Sequence, residues 1–285
     1  MLVKLVHLAL PLSIFCSIFA LGLEATLSDA IFVLRRPHLL LRSLLAMNVV
    51  MVAFAVAVAS FFHLDPALKI AIVVLAVSPV PPLLPRKNRK SGGSESYAVG
   101  LLVAAVLAAI VMTPAWIMVL GHYFNVKAHL PPTKILPILL ISAIAPLLSG
   151  MLVHQFAPDF AARTVGPLSK AAGLLLLAAA LPVLFIMAEP MWDMVGNHVL
   201  IVLAAFTLVG FLVGHLMGGP DPEERTVLAL ACSARHPGVA IAIIGLNFPN
   251  LKATILVVVI WHLLVALALT IPYKAWRRRV GATTP

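Results

Sequence analysis

The sequence is short of charge and shorter still of acid. Charged residues make up 11% of its 285 positions and hydrophobic ones 62%, where a soluble domain carries roughly 25% charge. That balance excludes a water-soluble globule, because too little polar surface exists to cover one. Only two cysteines are present, Cys16 and Cys232, both in apolar runs. They exclude a disulfide framework and read as buried free thiols. No window alternates with a period of two, which excludes a β-barrel. HExxH, an Asp-rich metal motif and paired intramembrane aspartates are all missing, so neither a metal site nor a cofactor is expected. Twenty lysines and arginines against ten acids would point to nucleic acid in a soluble chain. Here the basic residues fall in short loops and report topology, so no nucleic-acid partner is expected.

What the chain has in quantity is apolar length. A bilayer-spanning helix needs about 20 mostly apolar residues, at a rise of about 1.5 Å each. Nine windows qualify, at roughly 3–22, 39–62, 66–84, 97–121, 134–154, 167–188, 196–217, 226–248 and 252–273. The expected fold class is all-α and transmembrane, with residues 1–285 forming a single integral membrane domain. The opening "MLVKLVHLALPLSIFCSIFALG" has the charge-then-apolar order of a signal peptide. A mid-run histidine and proline and a weak cleavage site make it read as a retained helix.

Positive charge orients the chain. With the C-terminus cytoplasmic, that side collects Arg35, Arg36, Arg42, Arg86, Lys87, Arg89, Lys90, Arg163, Lys170, Arg225, Lys274, Arg277, Arg278 and Arg279. The other side holds Lys4, Lys69, Lys127, Lys134 and Lys252. The expectation is a multi-pass protein of a cell inner membrane, N-terminus outside and C-terminus inside. In the seventh span, Gly210, Gly214 and Gly218 recur every fourth residue, which reads as close helix packing.

The eighth window is interrupted by "ACSARHPGVAIA", Ala231 to Ala242. Pro237 lacks an N–H and clashes one turn back, and it biases His236 away from helical angles. Gly238 adds freedom. The helix should break near 235–238 and restart with Pro237 in its first turn. A break in hydrocarbon is tolerated only where protein or a water-filled cavity satisfies the freed backbone groups. The restarted half offers N–H groups and a positive dipole end, which suit an anion. Arg235 adds a fixed charge costing roughly 2.5–3.5 kcal/mol at a helix centre, which is the argument for giving it a role. Ser233 is weighed both as a ligand and as a hydroxyl bonding back to its own helix. The third window breaks similarly around Ser78–Pro85, in "SPVPPLLP", through Pro81, Pro82 and Pro85. Interrupted helices in corresponding positions of two halves are the mark of an inverted-repeat transporter.

Four stretches, in order, resemble the bile acid:sodium symporter family: "FALGLEATLSDAIFVLRRP", "SPVPP", "ERTVLALACSARHPGVAIAI" and "WHLLVALAL". The resemblance implies a nine-helix inverted-repeat fold with two discontinuous crossover helices, its halves at about 1–125 and 130–285. That is one leading helix fewer than is common in the family. It also implies a secondary active transporter of a small organic anion, not an enzyme. Carried over by position, the family's sodium carboxylate falls on Ala231, its Gln-Asn pair on Arg235 and His236, its Ser-Asn pair on Leu84 and Pro85, and an earlier amide on Asn48. Most sodium oxygens are therefore replaced, and Arg235 stands in for a cation charge. The coupling ion is left open between sodium and a proton, with His236 the candidate proton carrier because an ordinary imidazole titrates near about 6.5.

The candidate substrate-binding residues are Arg235, His236, Ser233, Asn48 and Ser78, with Arg235 as the anion anchor. Pro237, Gly238, Pro81, Pro82 and Pro85 make the breaks. The basic run Arg86, Lys87, Arg89, Lys90 has two readings: an orienting cluster, or an inner mouth that draws in anions. The sequence admits two other function classes. One is a membrane-embedded enzyme using Cys232, Ser233 and His236. The other is a non-transporting scaffold.

Overall fold

Proline starts six of the helices. It is tolerated in a first turn because the missing N–H has no partner there anyway and φ is already helical. The computed structural model describes residues 2–89 and 91–283, without the side chains of 2–7, 87, 89, 278 and 280–283. The helices are α1 (Leu2–Gly22), α2 (Leu27–Ala30), α3 (Pro37–Phe61), α4 (Pro66–Val77), α5 (Leu84–Arg89), α6 (Glu95–Tyr123) and α7 (Pro132–Phe156). There follow α8 (Pro158–Ile186), α9 (Ala188–Asp193), α10 (Val199–Met217), α11 (Pro222–Ser233), α12 (Pro237–Asn247) and α13 (Lys252–Thr283). No strand occurs among the described residues.

Among the described residues, seven helical stretches are long and apolar enough to cross a membrane, Pro222–Asn247 taken as one; Leu8–Gly22 and Pro66–Val77 are shorter apolar helices. All nine expected windows contain helix, with some ends corrected. The third is helical only as far as Val77 before it unwinds. The sixth begins at Pro158, not 167. The eighth begins at Pro222, because Asp221 caps it by accepting from the Glu223 amide at 2.8 Å. Pro85 lies in the first turn of α5 and so restarts the helix; the unwound segment itself is Ser78 to Leu83.

The two interrupted helices are built alike. Each begins with an aspartate cap followed by proline, Asp65–Pro66 and Asp221–Pro222, and each cap accepts an amide at 2.8 Å. Each first half, α4 and α11, runs for 12 residues before the chain leaves the helix. The second halves differ, α5 having 6 residues and α12 having 11.

Packing divides the helices into two groups. α1, α7 and α8 pack on one another, with Ile18, Leu21, Leu147 and Met151 in a small shared core. α1 and α7 touch backbone to backbone at Gly22 and Gly150, where a Cβ on Gly22 would lie 2.3 Å from Leu147 O. The larger core runs through α3, α4, α6, α10, α11, α12 and α13, and Ile135, Leu139 and Ala143 of α7 reach into it. Within it α10 lies flat on α11 along Gly210, Gly214 and Gly218. A methyl group at any of the three would fall within 2.6 Å of α11 backbone.

Candidate functional site

Both breaks sit in the larger group and meet each other. α11 ends at Ser233, and Ala234 and His236 take extended angles before α12 restarts at Pro237. The freed amide of His236 donates to the carbonyl of Pro79, in the unwound part of the first interrupted helix, at 2.8 Å. Two backbone groups orphaned by separate breaks thus satisfy each other, as burial requires.

Arg235 is the largest fully buried side chain, with 0% of its surface exposed. Its Nη2 donates to Met47 O at 3.0 Å, and Nη1 lies 3.4 Å from Ser78 O. Nε has no hydrogen-bond partner among the described residues. The guanidinium carbon stands 6.0 Å from the Phe206 ring centre, at the outer limit of a cation–π contact. Phe206 in turn meets His262 edge-on at 5.5 Å. No carboxylate pairs with Arg235 among the described residues; the Arg36–Glu224 ion pair, 2.6 Å, lies at the start of α11.

Met47 offers its carbonyl because α3 is not a regular helix there. Ala46–Val50 form a π turn, and such a turn leaves main-chain groups out of the usual ladder. Asn48 lies in the same turn and is 9% exposed. A second π turn, Leu140–Ile144, interrupts α7 in the other group. It carries Ser142, whose hydroxyl is 3.1 Å from Nε2 of His236.

His236 caps α12 with its own ring: Nδ1 accepts from the Val239 amide at 3.4 Å. A neutral imidazole has one donor and one acceptor. The accepting Nδ1 therefore puts the proton on Nε2, which donates to Ser142. This bond joins the two helix groups. It also ties protonation to structure, since a proton on Nδ1 must displace the Val239 amide.

The expected site residues divide accordingly. Arg235, His236, Ser78 and the turn bearing Asn48 come together at the crossing. The Ser78 carbonyl faces the guanidinium, while its hydroxyl bonds back to Val74 O at 2.8 Å. Ser233 bonds back to Leu230 O at 3.1 Å, and its hydroxyl points into its own helix. Pro81 and Pro82 lie in the unwound segment, and Gly238 is inside α12. Met47, Phe206 and Ser142 also stand at the crossing without any signal in the sequence. Nothing there marks them, because apolar helices carry many such residues.

In the basic run, Arg86 is a clamp. It donates to Ser17 Oγ at 2.9 Å and to Ser169 O at 2.6 Å, fastening α5 to α1 and α8. The side chains of Lys87 and Arg89, and the whole of Lys90, lie outside the described residues. Nearby, between the two groups, a small pocket is edged by Glu24, Asp29 and Glu95. Asp29 closes a capping box with Thr26. Burial raises its pKa, but hydrogen bonds from Ser96 and Thr26 outweigh that and leave it below the usual 3.8. A wholly separate cavity of about 290 Å³ lies between α4 and α6, apolar apart from Lys69 at its edge.

Residues 11–191 match the sodium bile acid symporter family. The match covers the first interrupted helix and both π turns and ends before α11, which leads to Arg235. No curated protein matches the chain.

Proposed function

Since the chain belongs to the sodium bile acid symporter family, a family of membrane transporters and not of enzymes, we propose that it carries a small organic anion across the membrane as a secondary transporter. The observation that carries this reading is the crossing itself. A fully buried guanidinium, unpaired by any carboxylate among the described residues, lies at the meeting of two broken helices. Its field, with the positive end of α12, makes this the place in the membrane where a negative solute is least costly. An uncompensated arginine costs roughly 2.5–3.5 kcal/mol at mid-helix, and an arriving anion offsets part of that.

The matched construction of α4 and α11 supports an inverted repeat, with halves of about 1–125 and 130–285 and nine spans. In this reading α1, α7 and α8 form a panel against which the larger group rocks. The anion enters between them beside His236 and Ser142, whose polar contact joins the second break to α7. Arg235 acts on it as a charge just behind the surface; Asn48 supplies a neutral hydrogen bond. The positive-charge distribution favours an inner membrane with the C-terminus cytoplasmic.

The enzyme alternative has no support in the geometry. Ser233 bonds to Leu230 O and His236 to the Val239 amide, so neither activates the other.

The test is exchange of radiolabelled organic anions across proteoliposomes. Arg235→Ala protein that still inserts should lose exchange. Exchange at the wild-type rate would remove Arg235 from the site.

A further inference from the structure

We infer that Arg235 is a built-in cation: its guanidinium holds the seat that a co-transported sodium would take, and this chain moves its anion without sodium. The second clause rests on the transporter reading above; the first stands on the geometry alone.

Carbonyls released by unwound helix are what transporters use to hold sodium at a helix break. Here two such carbonyls are turned toward Arg235. Ser78 O comes from the first break, and Met47 O from the π turn of α3. Both are engaged by N–H groups, so what faces the seat is donors in place of ligands. A hard cation needs several oxygens, commonly with carboxylates among them. The ten acids of the chain are Glu24, Asp29, Asp65, Glu95, Asp159, Glu189, Asp193, Asp221, Glu223 and Glu224. All fall in loops, in short helices or in first turns, away from the crossing. One turn before Arg235, Ala231 is fully buried and offers only a methyl group. A sodium ion placed here would meet a like charge with no anion between them. The residues present do not fit sodium.

The remaining geometry agrees with a fixed charge. Arg235 has no exposed surface and leans on the Phe206 ring. It cannot leave with the substrate, whereas a free ion must be bound and released in each cycle. A tethered charge therefore gives the site its electrostatics permanently and takes no energy from an ion gradient.

The test reads cation binding separately from transport. Melting of the purified wild type is followed while sodium chloride replaces choline chloride at constant ionic strength. A ligand that binds the folded state raises the midpoint saturably; no such rise is expected here. Arg235→Ala should melt several degrees lower and regain part of the loss with methylguanidinium chloride, saturably, but not with choline. A saturable rise of the wild type with sodium overturns the inference. So does a response of Arg235→Ala to methylguanidinium no larger than that of the wild type. Should Arg235→Ala fail to fold, the wild-type titration decides by itself, and Arg235→Lys, which keeps the charge, should melt without any sodium response. In proteoliposomes, a sodium gradient should leave uptake of a radiolabelled bile acid and of small dicarboxylates unchanged; sodium-driven accumulation overturns the inference and leaves the transporter reading standing. If none of these anions moves under any cation, the transporter reading falls, and the melting result still decides who holds the seat.

Discussion

Adding one methyl group at Gly214 tests whether the break is held in place by backbone contact. A Cβ there would stand 2.4 Å from the Ala229 backbone, where ordinary contact begins at 3.4 Å. The neighbour is main chain in the middle of α11, so no side chain can swing aside. α11 must move off by about an ångström, an overpacking strain that typically costs about 1–3 kcal/mol. Alanine's better helix propensity returns at most about 1 kcal/mol. With mid-range strain of about 2 kcal/mol and the full propensity return, the net loss is about 1 kcal/mol. The same shift carries the chain that follows α11 away from Met47 O and Ser78 O, so anion exchange should fall with stability. Gly166→Ala is the control. Gly166 lies inside α8 with nothing within 4 Å of its Cβ position, and there alanine should be neutral or stabilising. A thiol-reactive fluorophore suits the assay once the partly exposed Cys16 is replaced by serine, because Cys232 is fully buried in α11 and reports when that helix comes away. If Gly214→Ala melts at or above the wild type and exchanges anions normally, α10 does not position the break.

Ser142→Ala removes the acceptor for His236 Nε2 and with it a bond between the two helix groups. At about 1 kcal/mol for a buried hydrogen bond, the balance between exchange conformers should move roughly fivefold. Counterflow rate should change by that order with little change in melting; no change would mean that the contact is not part of the moving interface. Asp29→Asn weakens the capping box of α2 and should cost about 1 kcal/mol or less, reduced by solvent screening. Because the folded carboxyl lies below its usual 3.8, its contribution is present above that pH and is lost as pH falls through the lowered value. Melting midpoints on the acid side should show this loss in the wild type and a shallower one in Asp29→Asn; identical acid limbs would contradict it.

Much of this was legible in the sequence because lipid imposes long apolar runs and proline imposes stops. The Arg-His-Pro interruption located the second break within a residue or two, since Pro237 cannot continue a helix at His236. The prolines after Ser78 located the first less sharply. Pro81 and Pro82 unwind the chain, whereas Pro85, of the same type and a few residues on, restarts it. Only the surrounding packing tells those cases apart. The π turns at 46–50 and 140–144 were not legible. Each carries a group with a partner across the fold, the Met47 carbonyl and the Ser142 hydroxyl, and Met47 and Ser142 look like any residue of an apolar helix. The roles of the two serines needed structure for a similar reason: hydroxyls at Ser78 and Ser233 bond locally, and it is the Ser78 carbonyl that matters.

The His236 amide to Pro79 carbonyl bond has a further implication. It is made by main chain at both ends, so it survives every side-chain substitution at either position except proline at 236. The link between the two breaks is therefore insulated from mutational drift. The side chains at Arg235 and His236 can be exchanged while the main-chain contact beneath them stays the same.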